Sequence, residues 1–223
     1  MKKILFSLTL VAAATASQAV PLVQNTWVTL GGTTAAAEPQ LAGTVLQDEL
    51  TPFSFSAYGG TVSGQVQSRV VRSIDGTVDF YWRVFNDAGS AGAIQDLRLG
   101  NFVAPEYNAN WRIDGLGDKG PSAAYLFGPP QPDGYINFRF FATSSTEPGA
   151  GLLPGESSKF IFFDTTATNY AKTAVYDLTN FGQTEISSSF ATFAPAVPEP
   201  GTYGLMGAGL GLLVWLQRRR ASR

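Results

Sequence analysis

The chain of 223 residues contains no histidine and no cysteine. Those absences exclude Ser-His-Asp and Cys-His catalysis, a zinc site built on His or Cys, and dithiol redox chemistry. They exclude disulfides as well. General acid–base work would fall to Asp, Glu, Lys or Tyr, and a cation site would need oxygen ligands alone. Charge is also scarce: Asp, Glu, Lys and Arg make 14% of the chain, with a net charge of −2. The scarcity is uneven. Residues 20–196 carry nine Lys and Arg against sixteen Asp and Glu, so the body is acidic. It has no electrostatic footprint for nucleic acid. Basic residues gather instead at the ends, at Lys2 and Lys3 and at Arg218, Arg219, Arg220 and Arg223. Beside apolar runs, such charges indicate membrane topology.

Met1-Lys2-Lys3 is a short positive segment, and Ile4 to Ala16 is an uncharged run of thirteen residues. Ser17-Gln18-Ala19 then places small residues at the third and first positions before a cut. This is the three-part pattern of a secretory signal peptide. The run is short for a bilayer core of about 30 Å. The pattern predicts export through the Sec translocon and cleavage by signal peptidase after Ala19, leaving Val20 first.

The opposite end also has three parts. Pro198 and Pro200 flank Glu199 and oppose both helix and central strand, so this segment is extended. Thr202 to Leu216 contains no charge. As a helix it would be about 22 Å long, which is short for a lone span. Trp215 stands at its end, and Arg218, Arg219 and Arg220 follow as a topological stop. The positive-inside rule keeps these arginines cytoplasmic and puts the body across the membrane. Gly207 and Gly211 make a GxxxG, but glycine also stands at 201, 204 and 209, so the spacing carries no dimer reading.

Pro198-Glu199-Pro200, the Gly-rich apolar stretch and the terminal arginines together resemble the PEP-CTERM sorting domain of Gram-negative bacteria. The resemblance covers roughly the last tenth of the chain. It implies recognition and processing by an exosortase, an integral-membrane enzyme with a cysteine-type active site. It also implies an exopolysaccharide or biofilm setting. The simpler alternative is an ordinary C-terminal anchor on a proline-rich stalk.

The expected organisation is therefore a signal peptide at 1–19, one body at 20–196 and a sorting tail at 197–223. Period-2 alternation recurs through the body. Val78, Phe80, Trp82 and Val84 share one face, with Asp79, Tyr81 and Arg83 on the other. Val62, Val66 and Val70 share a face with Gly64 and Ser68, and Ile136, Phe138 and Phe140 alternate with Asn137 and Arg139. Phe160 to Phe163 reads as a strand buried on both sides. Further strands are predicted at 26–30, 54–58, 94–102, 173–178 and 185–193. Asp75-Gly76 and Asp133-Gly134 supply turn chemistry. Residues 31–39 read as a loop. The pattern predicts an all-β, antiparallel β-sandwich, Ig-like or jelly-roll-like, flanked by the signal peptide and a transmembrane sorting helix. The stretches 75–84, 153–158 and 165–170 resemble sandwich regions that often precede such tails, a likeness that implies a surface domain and no particular activity.

Site candidates are few. Glu106, Asp114 and Asp118 surround Trp111, and glycoside hydrolysis needs two carboxylates across a sugar. Turn formation explains the same Asp and Gly residues more simply. The stretch from Asp114 to Asp118 lacks the ligand order of an EF-hand loop, and no metal site or cofactor is expected. Ser157 and Ser158 have no histidine to activate them, and adjacent Lys159 would face the other side of a strand. Tyr107, Trp111, Tyr125 and Phe127 fall in a Gly- and Pro-rich region where core placement is less certain. If exposed, Trp111, Tyr107 and Tyr125 would suit stacking on a glycan. The reading is a non-enzymatic surface or matrix protein. A carbohydrate-binding module is the alternative, and a glycan-active enzyme is a more distant one.

Overall fold

The computed structural model describes residues 18–141 and 151–196. The expected sorting tail, and all but the last two residues of the expected signal peptide, lie outside them. Twelve strands follow in chain order: β1 (Val20–Pro21), β2 (Trp27–Thr29), β3 (Thr44–Ala57), β4 (Gly60–Arg72), β5 (Val78–Asn86) and β6 (Asp96–Gly100). Then come β7 (Asn108–Trp111), β8 (Ala123–Leu126), β9 (Ile136–Arg139), β10 (Ile161–Asp164), β11 (Tyr170–Thr179) and β12 (Phe190–Pro195). One sheet has the order β1-β7-β10-β5-β4-β3, and the other β12-β11-β6-β9-β8-β2. All ten strand pairings are antiparallel.

The alternating residues of both sheets meet in one core. Val62, Val66 and Val70 of β4 and Phe80, Trp82 and Val84 of β5 enter from one side. Leu97 and Leu99 of β6, Ile136 and Phe138 of β9, and Tyr176 and Leu178 of β11 enter from the other. Each large apolar side chain buried here contributes roughly 1.5–3 kcal/mol. Phe163 is the hub, with ring centroids of Phe102, Phe138, Tyr107 and Trp82 at 4.9, 5.4, 6.1 and 6.2 Å. Polar links also cross the sandwich: in the core the Trp82 indole N–H donates to Thr192 Oγ1 of β12 at 2.8 Å, and the Thr192 hydroxyl donates to Ser68 Oγ of β4 at 3.3 Å.

The first sheet is also covered on part of its outer face. Leu41, Val71, Tyr81, Phe160 and Phe162 form a second, smaller cluster there. Asp79 and Tyr81, placed by alternation on the face away from the core, are consequently buried. The double-sided burial expected for residues 160–163 is present.

Several boundaries differ from those expected. β3 begins at Thr44, ten residues before the predicted strand. It is an edge strand with no further strand beyond it, where Asp48, Glu49 and Pro52 are tolerated and so interrupt the apolar pattern. β12 occupies 190–195 rather than 185–193. β1, β7 and β8 were not expected at all. β3 and β4 are joined through Tyr58 and Gly59, whose φ values of 55° and 72° make the twisted two-residue hairpin turn. Tyr58 is held in this unfavourable region by its hydroxyl, which donates to the Ala93 carbonyl at 2.8 Å and accepts from the Phe181 N–H at 2.7 Å.

Candidate functional site

The three aromatics proposed for glycan stacking do not form one cluster. Tyr107 and Trp111 lie at β7 in the first sheet, and Tyr125 lies in β8 of the second. Tyr107 is half-buried against the main core, with its ring edge-on to Phe163. Burial pushes its phenol up. Trp111 is wedged between two glycines: a Cβ at Gly32 or Gly120 would come within 2.6 or 2.4 Å of its ring. Both neighbours must lack a side chain for the indole to fit, and the Lys159 ammonium lies 5.9 Å from the ring centroid.

Tyr125 belongs to a different assembly, on the outer face of the second sheet. Cross-strand register aligns Trp27, Tyr125, Asn137, Arg98 and Asp177 across five strands. Alternation puts Ala124, Phe138, Leu97 and Leu178 on the core side of the same strands. Trp27 and Tyr125 lie 5.1 Å apart between ring centroids, and Tyr125 and Phe127 4.7 Å apart. The Arg139 guanidinium stacks 4.0 Å from the Trp27 centroid and pairs with the buried carboxylate of Asp96 at 3.1 Å. Arg98 donates twice to Asp177, at 2.6 and 2.9 Å.

Beside this row lies a groove of about 350 Å³, lined by Phe127, Gln131, Tyr135, Asn137, Arg98 and Asp177 among others. Gly100 lies beneath its aromatic wall, where an added Cβ would stand 3.6 Å from the Tyr135 ring. Tyr135 is 36% exposed. An exposed ring facing planar amide, guanidinium and carboxylate groups offers both stacking area and paired hydrogen bonds. Sugars present matching surfaces, an apolar C–H face and pairs of vicinal hydroxyls.

The carboxylates considered for hydrolysis are engaged elsewhere. Asp114 accepts twice from Arg112, at 2.7 and 3.0 Å, and once from the Ala35 N–H at 2.8 Å. Asp118 accepts from the N–H and hydroxyl of Ser157, at 2.8 and 3.1 Å. The Arg112 guanidinium holds Asp114 below the usual carboxylate range, and the Ser157 donors do the same for Asp118. Glu106 accepts from Asn108 at 3.0 Å. Ser158 Oγ accepts from the Val84 N–H and donates to the Lys159 carbonyl, while Lys159 Nζ reaches the Gly117 carbonyl. No Ser–Lys pair forms. Among the described residues, no group of three or more acidic side chains is arranged to hold a metal ion.

A second set of carboxyls was not anticipated. Asp79 is fully buried, accepts from the Ser73 hydroxyl and accepts from the Thr165 N–H at 3.2 Å. Burial pushes its carboxyl up to about 7, and neighbouring Asp164 adds to the shift. Asp164 and Glu38 are also raised, again chiefly by burial.

Comparison with known families decides the C-terminal reading: the model of the PEP-CTERM protein-sorting motif matches residues 196–220. This is a PEP-CTERM domain-containing protein. No curated protein and no solved structure matches the chain. The PEP-CTERM signal marks an exported protein that is anchored in the membrane, processed by an exosortase and then placed at the surface. The match includes Pro198, Glu199, Pro200 and Arg218, Arg219, Arg220, which lie outside the described residues. Among the described residues, no helix is long and apolar enough to cross a membrane.

Within the body of this PEP-CTERM protein, sequence reasoning missed Trp27, Arg98, Tyr135, Asn137 and Asp177. Each looks ordinary in its own strand. Only the register across β2, β8, β9, β6 and β11 joins most of them, and that register has no local signal. Asp79 and Asp164 were hidden similarly, because both sit in strands whose outer face is covered by Leu41 and its neighbours.

Proposed function

We propose that this PEP-CTERM protein is a non-catalytic component of the cell surface or extracellular matrix, associated with exopolysaccharide. Signal peptidase removes residues 1–19 after Sec export, the apolar stretch 202–216 holds the precursor in the membrane, and the exosortase acts near Pro198-Glu199-Pro200. The observation that carries this reading is the sorting motif beginning at residue 196, immediately after β12 ends at Pro195. The lack of His and Cys, and the local engagement of Glu106, Asp114 and Asp118, support a non-catalytic body. Intact-mass and terminal-peptide mass spectrometry on protein from cells and medium tests the sorting. The expected product starts at Val20 and ends near the Pro-Glu-Pro motif. A product retaining Arg223 in the membrane fraction would leave only an ordinary anchor.

A second reading has its own observation, the aromatic and polar groove of the second sheet. It makes the body a carbohydrate-binding module. Retention of the processed protein on exopolysaccharide from the producing cells should fall in Tyr135→Ala and Asp177→Ala. Retention unchanged in both variants would remove this reading, as would no retention of the wild type.

A further inference from the structure

The chain enters its first strand through an acidic cleft. Gln18 and Ala19 line it, together with Glu38, Gln40, Asn108 and Asp164, around about 190 Å³. Glu38 is 2% exposed. One of its carboxylate oxygens accepts from the Ala19 N–H. The other is buried and makes no hydrogen bond of normal geometry, with the Thr33 hydroxyl as the neutral donor nearby that lowers the carboxyl. Asp164 raises the carboxyl of Glu38 and is itself linked to the buried Asp79. Asp75 and Glu106 add negative charge around Asp164. The cation acting on Glu38 is Arg112, which is already paired bidentately with Asp114. Tyr81, which also faces Arg112, brings no positive charge. A buried carboxylate with an unused oxygen, amid surplus negative charge, is a site short of a cation.

Processing creates one at this place. Hydrolysis at Ala19–Val20 breaks the peptide C–N bond. The hydroxyl from water stays on Ala19 as its new carboxylate, and the Val20 nitrogen takes the protons and becomes an α-ammonium. Gln18 and Ala19 depart with the leader and vacate the cleft. Val20 stays, paired with Ala109 of β7. Its Cα is about 3.8 Å from that of Ala19, so the new charge arises beside the position now filled by the Ala19 N–H. An ammonium offers three donors and a charge-assisted bond in place of one neutral N–H.

We propose that this cleft is a receptor for the chain's own mature N-terminus, with Glu38 and Asp164 as counter-ions and Gln40 and Asn108 as polar walls. The precursor lacks the cation, so the body acquires its full set of ionic contacts only after leader removal. The inference rests on the signal-peptide reading, with cleavage after Ala19.

The test uses the full chain expressed with its own leader and recovered after export. Terminal-peptide mass spectrometry reads the first residue. Acylation at pH 7 then compares the Val20 α-amine in native and denatured protein, and in Glu38→Gln and Asp164→Asn. The expected result is a start at Val20, with acylation slowed about tenfold in the native wild type, the effect of roughly one unit of added basicity. Either variant should restore much of the rate. A start at Val20 with equal native and denatured rates overturns the receptor and leaves the leader reading intact. A start upstream of Val20 overturns the cut itself and the receptor with it. The native-to-denatured comparison needs no variant, so a variant that fails to fold does not protect the proposal.

Discussion

Replacing Asp79 with Asn removes a carboxyl whose neutral form the fold favours. Asp79 is fully buried and accepts from Ser73 and Thr165. Burial lifts it from 3.8 to about 7. Between those values the native state keeps a proton that the unfolded chain releases. The stabilisation is therefore complete below about pH 4 and is lost as pH rises through about 7. A shift of this size corresponds to roughly 4 kcal/mol at most. The low-lying carboxylates work in the opposite direction. Thr77, Arg112 and Ser157 hold Asp75, Asp114 and Asp118 down, and their contribution disappears only as pH falls below about 4. Urea unfolding followed by tryptophan fluorescence between pH 4.5 and 8.5 reads the raised carboxyls Asp79, Asp164 and Glu38 together, and comparison with Asp79→Asn separates the share of Asp79. The wild type should lose stability across this range, while Asp79→Asn should be much flatter and more stable than wild type at pH 8. Parallel wild-type and variant profiles would refute the reasoning.

Three further substitutions probe the sandwich. Thr192→Val leaves the Trp82 N–H buried without its acceptor and should cost about 1–3 kcal/mol, read as a lower urea midpoint at unchanged slope. An unchanged midpoint would mean that the cross-sheet bond adds nothing. Gly120→Ala drives a methyl into the Trp111 ring and should cost about 1–3 kcal/mol, with an altered near-ultraviolet circular dichroism spectrum. A native spectrum would show that the indole has room to move. Phe163→Ala empties the hub of the aromatic core and should cost about 3–5 kcal/mol. A thermal shift no larger than that of an exposed substitution such as Leu116→Ala would place the hub elsewhere.

The parts of this fold that are legible in sequence are those whose signal is local. β5 and β4 alternate large or small apolar residues against polar ones because each lies between two other strands and feeds one core. β10 shows a continuous apolar run because both its faces are covered. β7 and β8 offered Asn-Ala-Asn-Trp and Ala-Ala-Tyr-Leu, four residues each, with little to alternate. Asn110 looks like a loop residue, yet its side-chain oxygen accepts from the Gly32 N–H, 78 positions away. Trp111 and Tyr125 were singled out together because they are close in sequence. The structure separates them: Trp111 packs against two glycines, and the Tyr125 ring meets Trp27 at a tilt of 51°, nearly a hundred positions away. Only the sorting signal, which is recognised as a linear string, could be located completely without the fold.

The sorting motif and the leader cut predicted from the sequence fall at equivalent places in the fold. β1 is the outermost strand of one sheet and β12 the outermost strand of the other. The sorting motif, which begins at residue 196, therefore follows a sheet-edge strand, and the predicted leader cut precedes one. Cutting at either place breaks no ladder between interior strands, so neither event requires the sandwich to open.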